Sequence, residues 1–284
     1  MKTDQSMVVT YEPDNSLKKG YSRIFAEIIS EIISNRWLTY QIFKRDFFSM
    51  YKQSFIGVLW IFIIPIVNVG VFVLLNNSGI FNFGDIKVPY PLFAIGGMAF
   101  WQLFATGLIA CGNSLTAAGD MITRINFSKK SLVMAPVGRI LISFLVQSAL
   151  VVLLCIFYKF LPSYQVIFIP LVVVPIIFLT LGLGFIVALL NAIVRDAGNL
   201  LTIAITFLMY LTPVLYAKPQ IGLLAGMTQW NPMYYLVSAG RDLIINGAIQ
   251  EMKGFVISSI FSLILLVAAL IIFHLTETRI AERI

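Results

Sequence analysis

VIFIPLVVVPIIFLTLGLGFIVALL, residues 166–190, carries no Asp, Glu, Lys, Arg or His across 25 positions. As a helix rising 1.5 Å per residue it would reach about 37 Å, enough to cross a hydrocarbon core of about 30 Å. Five other stretches are long and apolar enough to do the same: residues 55–75, 92–110, 140–158, 200–216 and 255–273. None of the six contains an Asp, Glu, Lys, Arg or His. The expectation is an all-α membrane protein with six transmembrane helices, since a helix satisfies its own backbone hydrogen bonds in lipid. Bulk composition agrees: 59% of 284 residues are hydrophobic, 12% are charged and the mean hydropathy is +0.92. Soluble domains carry about twice that share of charge.

The charges outside the apolar runs give the orientation. Six crossings put both termini on one side, and that side holds fifteen of the twenty Lys and Arg residues. By the positive-inside rule the termini are cytoplasmic. The net charge of +7 therefore reads as membrane topology, with no nucleic-acid partner. The polar and amphipathic first 54 residues do not have the pattern of a cleavable signal peptide. The chain divides into a cytoplasmic tail with interfacial helices, residues 1–54, and a six-span transmembrane domain, residues 55–284.

Two segments outside the spans have strong patterns of their own. Ile24, Phe25, Ile28, Ile29, Ile32 and Ile33 recur at helical spacing opposite Arg23, Glu27, Ser30, Glu31 and Ser34, which predicts an amphipathic helix lying on the membrane surface. A second helix, from Trp37 to Lys52, mixes aromatic and basic residues before the first span. Such helices anchor a protein at the interface or also dock a partner. Between spans five and six, residues 217–254 are too apolar for a solvated loop, and Asn231-Pro232 has the form of a helix start. A re-entrant helical hairpin in the outer face of the membrane is expected there.

The energy source is constrained by what is missing from the sequence. Proton-driven carriers place acidic, basic or histidine side chains at membrane depth, and the spans hold no Asp, Glu, Lys, Arg or His. No G-x-x-x-x-G-K-[ST] loop is present, so ATP-driven transport would require a motor on a separate chain. Two surfaces are candidates for docking it: the interfacial helix with Arg45 and Asp46, and the loop 111–139 with Asp120, Arg124, Lys129, Lys130 and Arg139. That loop also fits a solvated basic segment obeying the charge rule alone. Cys111, Cys155 and the single His274 form no metal-ligand spacing, and no cofactor is expected on this chain.

Four motifs, in order, resemble the type-two ABC exporter permeases, in the branch that exports bacterial cell-surface polysaccharides. Arg45-Asp46, then Tyr51-Lys52-Gln53-Ser54-Phe55-Ile56-Gly57-Val58-Leu59-Trp60 and Pro65, are similar to the family's R-D…Y-x-x-S-x-L-G-x-L-W…P. Gly97-Met98-Ala99-Phe100-Trp101 resembles its G-x-x-x-W segment, and Asn191 with Arg195-Asp196 its N-x-x-x-R-D. Thr212-Pro213-Val214, Asn231-Pro232-Met233 and Arg241 complete the match.

The resemblance implies a permease in the bacterial inner membrane. It implies a dimer of two such chains, bound to a pair of cytoplasmic ATPase subunits that carry ATP and Mg. The cargo implied is a lipid-linked polysaccharide, O-antigen foremost, with capsule or teichoic acid as further cases. Trp60, Phe100, Trp101, Phe104, Tyr210 and Tyr216 are candidate linings of the path, because aromatic faces suit a sliding sugar chain; they also fit interfacial anchoring. Trp230, Asn231, Tyr234, Tyr235 and Arg241 are candidates for an outer gate, and Arg241 with Asp242 for a structural pair. An exporter of drugs or small lipids shares the architecture. A membrane-embedded glycan-transferring enzyme would need grouped catalytic acids, whereas Asp85, Asp196, Asp242 and Glu251 are scattered.

Overall fold

Every regular element among the described residues is helical, as hydrocarbon demands of a backbone with no water to bond. The computed structural model describes residues 21–51, 57–79, 86, 88–119, 127–194 and 196–280. The helices are α1 (Tyr21–Ser34), α2 (Arg36–Tyr51), α3 (Trp60–Asn77), α4 (Tyr90–Gly112), α5 (Ser114–Ala117) and α6 (Lys130–Met134). They continue with α7 (Pro136–Phe157), α8 (Ile169–Ile193), α9 (Ala197–Leu211), α10 (Leu223–Trp230), α11 (Pro232–Ile245) and α12 (Met252–Ile280). The expected boundary at residues 54 and 55 lies outside the described residues.

Five helical stretches are long and apolar enough to cross a membrane: α3, α4, α6 with α7, α8 with the 3-10 turn before it, and α12. They answer to five of the six expected runs. The run 200–216 folds differently. Its helix, α9, stops at Leu211 after 15 residues, about 22 Å. Thr212 turns extended, with φ −98° and ψ 125°, because the ring of Pro213 disfavours helical geometry in the residue before it.

The core forms around α4, which is buried along most of its length by α3, α7, α8, α9 and α11. α8 packs between α4 and α12. In lipid no hydrophobic contrast drives helices together, so close approach by small residues matters more. A Cβ on Gly184 of α8 would stand 2.6 Å from the Cβ of Cys111 on α4, so only glycine permits this spacing.

By contrast α3 and α9 are covered on one side only. Ile64, Val67, Val71 and Leu74 of α3, and Leu200, Ile203 and Phe207 of α9, are exposed. The isoleucine face of α1 is divided: Ile24 and Ile28 are buried, whereas Phe25, Ile29 and Ile33 point away from the protein. α1 packs on α12, and α2 on α6 and α7. The region between α9 and α12 is a helix pair, with Pro232 at the first position of α11. Asn231 caps that helix by accepting from the Met233 N–H at 3.0 Å, as its sequence predicts.

Candidate functional site

Just past the end of α9 the chain leaves helical geometry, so the carbonyls of Pro213 and Val214 have no helical donors, and α11 supplies one. The Arg241 side chain, 7% exposed, donates from Nη1 to the carbonyls of Pro213 and Val214, each at 3.2 Å. Its guanidinium lies 4.0 Å from the centre of the Phe93 ring on α4. Asn231 Nδ2 donates to Thr212 Oγ1 at 2.7 Å. On the other side Gly97 lets α4 approach, since a Cβ there would stand 2.5 Å from the Val214 carbonyl oxygen. The break in α9 is thus clamped from two directions.

Beside this clamp the Tyr234 hydroxyl donates to Glu251 Oε1 at 2.8 Å, and the Lys218 ammonium stands 2.5 Å from the same oxygen. Burial, then the Glu251 hydrogen bond, hold the Tyr234 phenol well above its usual value, so it stays a neutral donor. Tyr235 donates to the Gln229 carbonyl at 3.0 Å, while Trp230 is exposed. The expected pairing of Arg241 with Asp242 takes another form. The Asp242 carboxylate accepts from the Gln250 N–H and Asn246 Nδ2, at 3.1 and 3.2 Å, and so fastens the turn between α11 and α12.

At the α1–α2 end the docking candidates separate. Arg45 and Asp46 form an exposed ion pair at 2.9 Å. With Arg139, Thr106 and Asn113 they line a cavity of about 540 Å³ between α2, α4, α5 and α7. Asp120, Arg124 and Arg195 lie outside the described residues. Lys130 requires a correction, because its side chain is 1% exposed and faces no docking surface. Its ammonium is bound to Glu31 Oε2 of α1 at 2.6 Å and to Glu277 Oε2 of α12. Lys129 is also buried; its N–H donates to Glu277 Oε1 at 2.6 Å. Glu31, His274 and Glu277 each bring a ligand atom within 4.8 Å of the others, a spacing that a metal ion would accept. The Lys130 ammonium, bound to both carboxylates, supplies the positive charge there.

Asn191, singled out by its motif, ties three elements together. Its Nδ2 donates to Asn113 Oδ1 at 2.8 Å and to the Gly112 carbonyl at 3.3 Å, and its Oδ1 accepts from the Gly198 N–H at 3.1 Å. The end of α4, the end of α8 and the start of α9 meet on this one amide.

The six candidate path residues divide evenly. Phe100, Trp101 and Phe104 are core residues, with Trp101 only 2% exposed, and Phe100 packs on Phe144 at 5.3 Å between ring centres. They present no ring outside the chain, which corrects their expected place. Trp60 and Tyr210 are exposed, by 41% and 62%. Tyr216 is half-buried and donates to the Tyr210 carbonyl at 2.7 Å.

Composition drew attention to rings and away from hydroxyls, and so missed the outward face of α9. Asn199, Thr202, Thr206 and Tyr210 follow one another at steps of three, four and four, and all four are exposed. This is one stripe of a helix, polar in an otherwise apolar element. Thr202 and Thr206 donate to the carbonyls of Gly198 and Thr202, at 3.1 and 2.9 Å. That satisfies their protons and leaves their oxygens free to accept.

Residues 38–245 match the family described as ABC-2 type transporter. The chain is 26% identical over 261 residues to the O-antigen export system permease protein RfbA of Myxococcus xanthus, covering 90% of this chain and 99% of that protein. A protein of the same name from Klebsiella pneumoniae is 26% identical over 244 residues, covering 85% of this chain and 92% of its own length. The family match runs from α2 to the last residue of α11, through the clamp, the core helix and the stripe. This chain belongs to the ABC-2 type transporter family.

Proposed function

We propose that the chain is the permease subunit of an ATP-driven exporter that moves a lipid-linked cell-surface polysaccharide, O-antigen foremost, across the bacterial inner membrane. The observation that carries this reading is the uncovered stripe of Asn199, Thr202, Thr206 and Tyr210 on α9. A polar face gains nothing from lipid, so it belongs against water, a second copy or a polar cargo. Sugars offer hydroxyls to the threonine oxygens and C–H faces to Trp60, Tyr210 and Tyr216. The apolar spans carry no Asp, Glu, Lys, Arg or His to hold the polymer, so it slides rather than binds tightly. The names of the relatives support the choice of O-antigen.

In this reading α9, with the clamped segment after it, makes the fifth of six crossings, and α10 with α11 dips into the outer face. Both termini are cytoplasmic, with α1 and α2 on the inner surface. Two copies meet across their uncovered α3 and α9 faces, which places a wide path on a closed twofold axis. A separate ATPase pair carries ATP and Mg. It docks on the exposed Arg45-Asp46 pair and on the loop that includes Asp120 and Arg124.

The test replaces Thr202 and Thr206 by Val and Tyr210 by Ala. Surface glycan is then measured per assembled complex, with the intracellular lipid-linked glycan quantified alongside. Export per complex is expected to fall while assembly persists. An unchanged normalised rate would remove the stripe from the path.

A further inference from the structure

We infer that Lys130, held between Glu31 and Glu277, is the joint through which movement of the cytoplasmic loop reaches the last span. The inference rests on the proposed function, in which a motor acts on that loop. Lys130 opens α6 at the far end of the loop, just beyond the segment that carries Asp120 and Arg124. Its carboxylate partners come from α1 and α12, 99 and 147 residues away. A buried ammonium can leave two carboxylates only by finding others, so the joint resists slipping in a way that apolar packing does not. The backbone joins in, since the Lys129 N–H holds the second oxygen of Glu277.

The neighbours make the three elements one body. Leu132 and Val133 of α6 are buried in the same cluster as Ala269 and Phe273 of α12 and Phe185 of α8. His274, one turn before Glu277, stands 4.0 Å from Glu27 and 3.9 Å from Glu31 on α1. α12 in turn packs along α8, and α8 along the core helix α4. A displacement of the loop is therefore delivered to the long helices directly, in addition to the chain connection through α7. Simple fastening does not need charge, since well-packed apolar residues often stabilise as well or better. Charge adds a fixed register, so Lys130 is a positioning residue.

The experiment uses the full chain with its ATPase in lipid nanodiscs, with and without ATP-vanadate. Hydrogen exchange is followed at residues 127–134 and at 274–280. In the wild type and in Lys130→Arg, nucleotide is expected to change exchange in both segments. In Lys130→Met the response of 274–280 is expected to be lost while that of the loop remains. Glu31→Gln, which removes the more exposed acceptor, is expected to weaken the distal response with the ATPase still bound, and serves if Lys130→Met fails to assemble. A wild-type-sized response at 274–280 in either variant overturns the joint. So does a wild-type loop that responds without its distal partner. A wild-type loop silent to nucleotide overturns the proposed function together with the joint.

Discussion

Replacing Arg241 by Met tests whether the clamp on the broken end of α9 stabilises the fold. Two hydrogen bonds from a charged donor contribute about 1.5–3 kcal/mol each, and a desolvated cation over an aromatic ring about 2. Against this stands the several kcal/mol it costs to bury a guanidinium. Methionine fills much of the volume over Phe93 but leaves the Pro213 and Val214 carbonyls without a donor. The net loss is expected to be about 2–4 kcal/mol. Arg241→Lys keeps the charge, reaches one carbonyl and loses the planar stack, and should cost about half as much. The folded fraction is to be measured by reversible steric trapping in bicelles, because heating a membrane protein rarely gives an equilibrium. Arg241→Met within about 0.5 kcal/mol of wild type would refute the clamp. Lys worse than Met would show that burying the charge outweighs what it bonds to.

Neighbouring glycines on α4 give a matched pair: Gly96, where a Cβ would meet nothing within 4 Å, and Gly97, where it would meet the Val214 carbonyl oxygen at 2.5 Å. Gly96→Ala should stabilise by about 0.5–1 kcal/mol and Gly97→Ala destabilise by about 1–3, measured by the same trapping method; equal effects would contradict the close approach. Lys130→Met should cost about 3–5 kcal/mol by leaving Glu31 and Glu277 side by side. Lys130→Met combined with Glu277→Leu should cost less than the two single changes summed; strict additivity would deny the pair.

Sequence and structure agree best where one segment carries the whole signal. Five apolar runs became long helices with ends shifted by one to ten residues, because some twenty apolar side chains in a row need no partner to be read. The Asn231-Pro232 cap is just as local. The fifth run forms a shorter helix than its hydropathy suggests, because hydropathy counts side chains, whereas Pro213 acts through the backbone of Thr212. Phe100, Trp101 and Phe104 were misplaced for a reason particular to membranes. Lipid-facing and protein-facing positions are both apolar, so the contrast that marks the inside of a soluble protein is missing. Lys130 counted as one more charge in a basic loop, and nothing near it in sequence announces a partner 147 residues away.

If α9 makes the fifth crossing, as proposed, its shortness makes bilayer thickness part of how the protein works. At about 22 Å it would fall roughly 8 Å short of a hydrocarbon core of about 30 Å. The mismatch would be met beside the polar stripe, either by acyl chains compressing there or by water following the non-helical backbone of residues 212–216 inward. Both would shorten the oily barrier at the place where a hydrated polymer would cross. The acyl-chain length of the host membrane would then become a setting on that barrier, and thicker lipids would act as an inhibitor with no binding site.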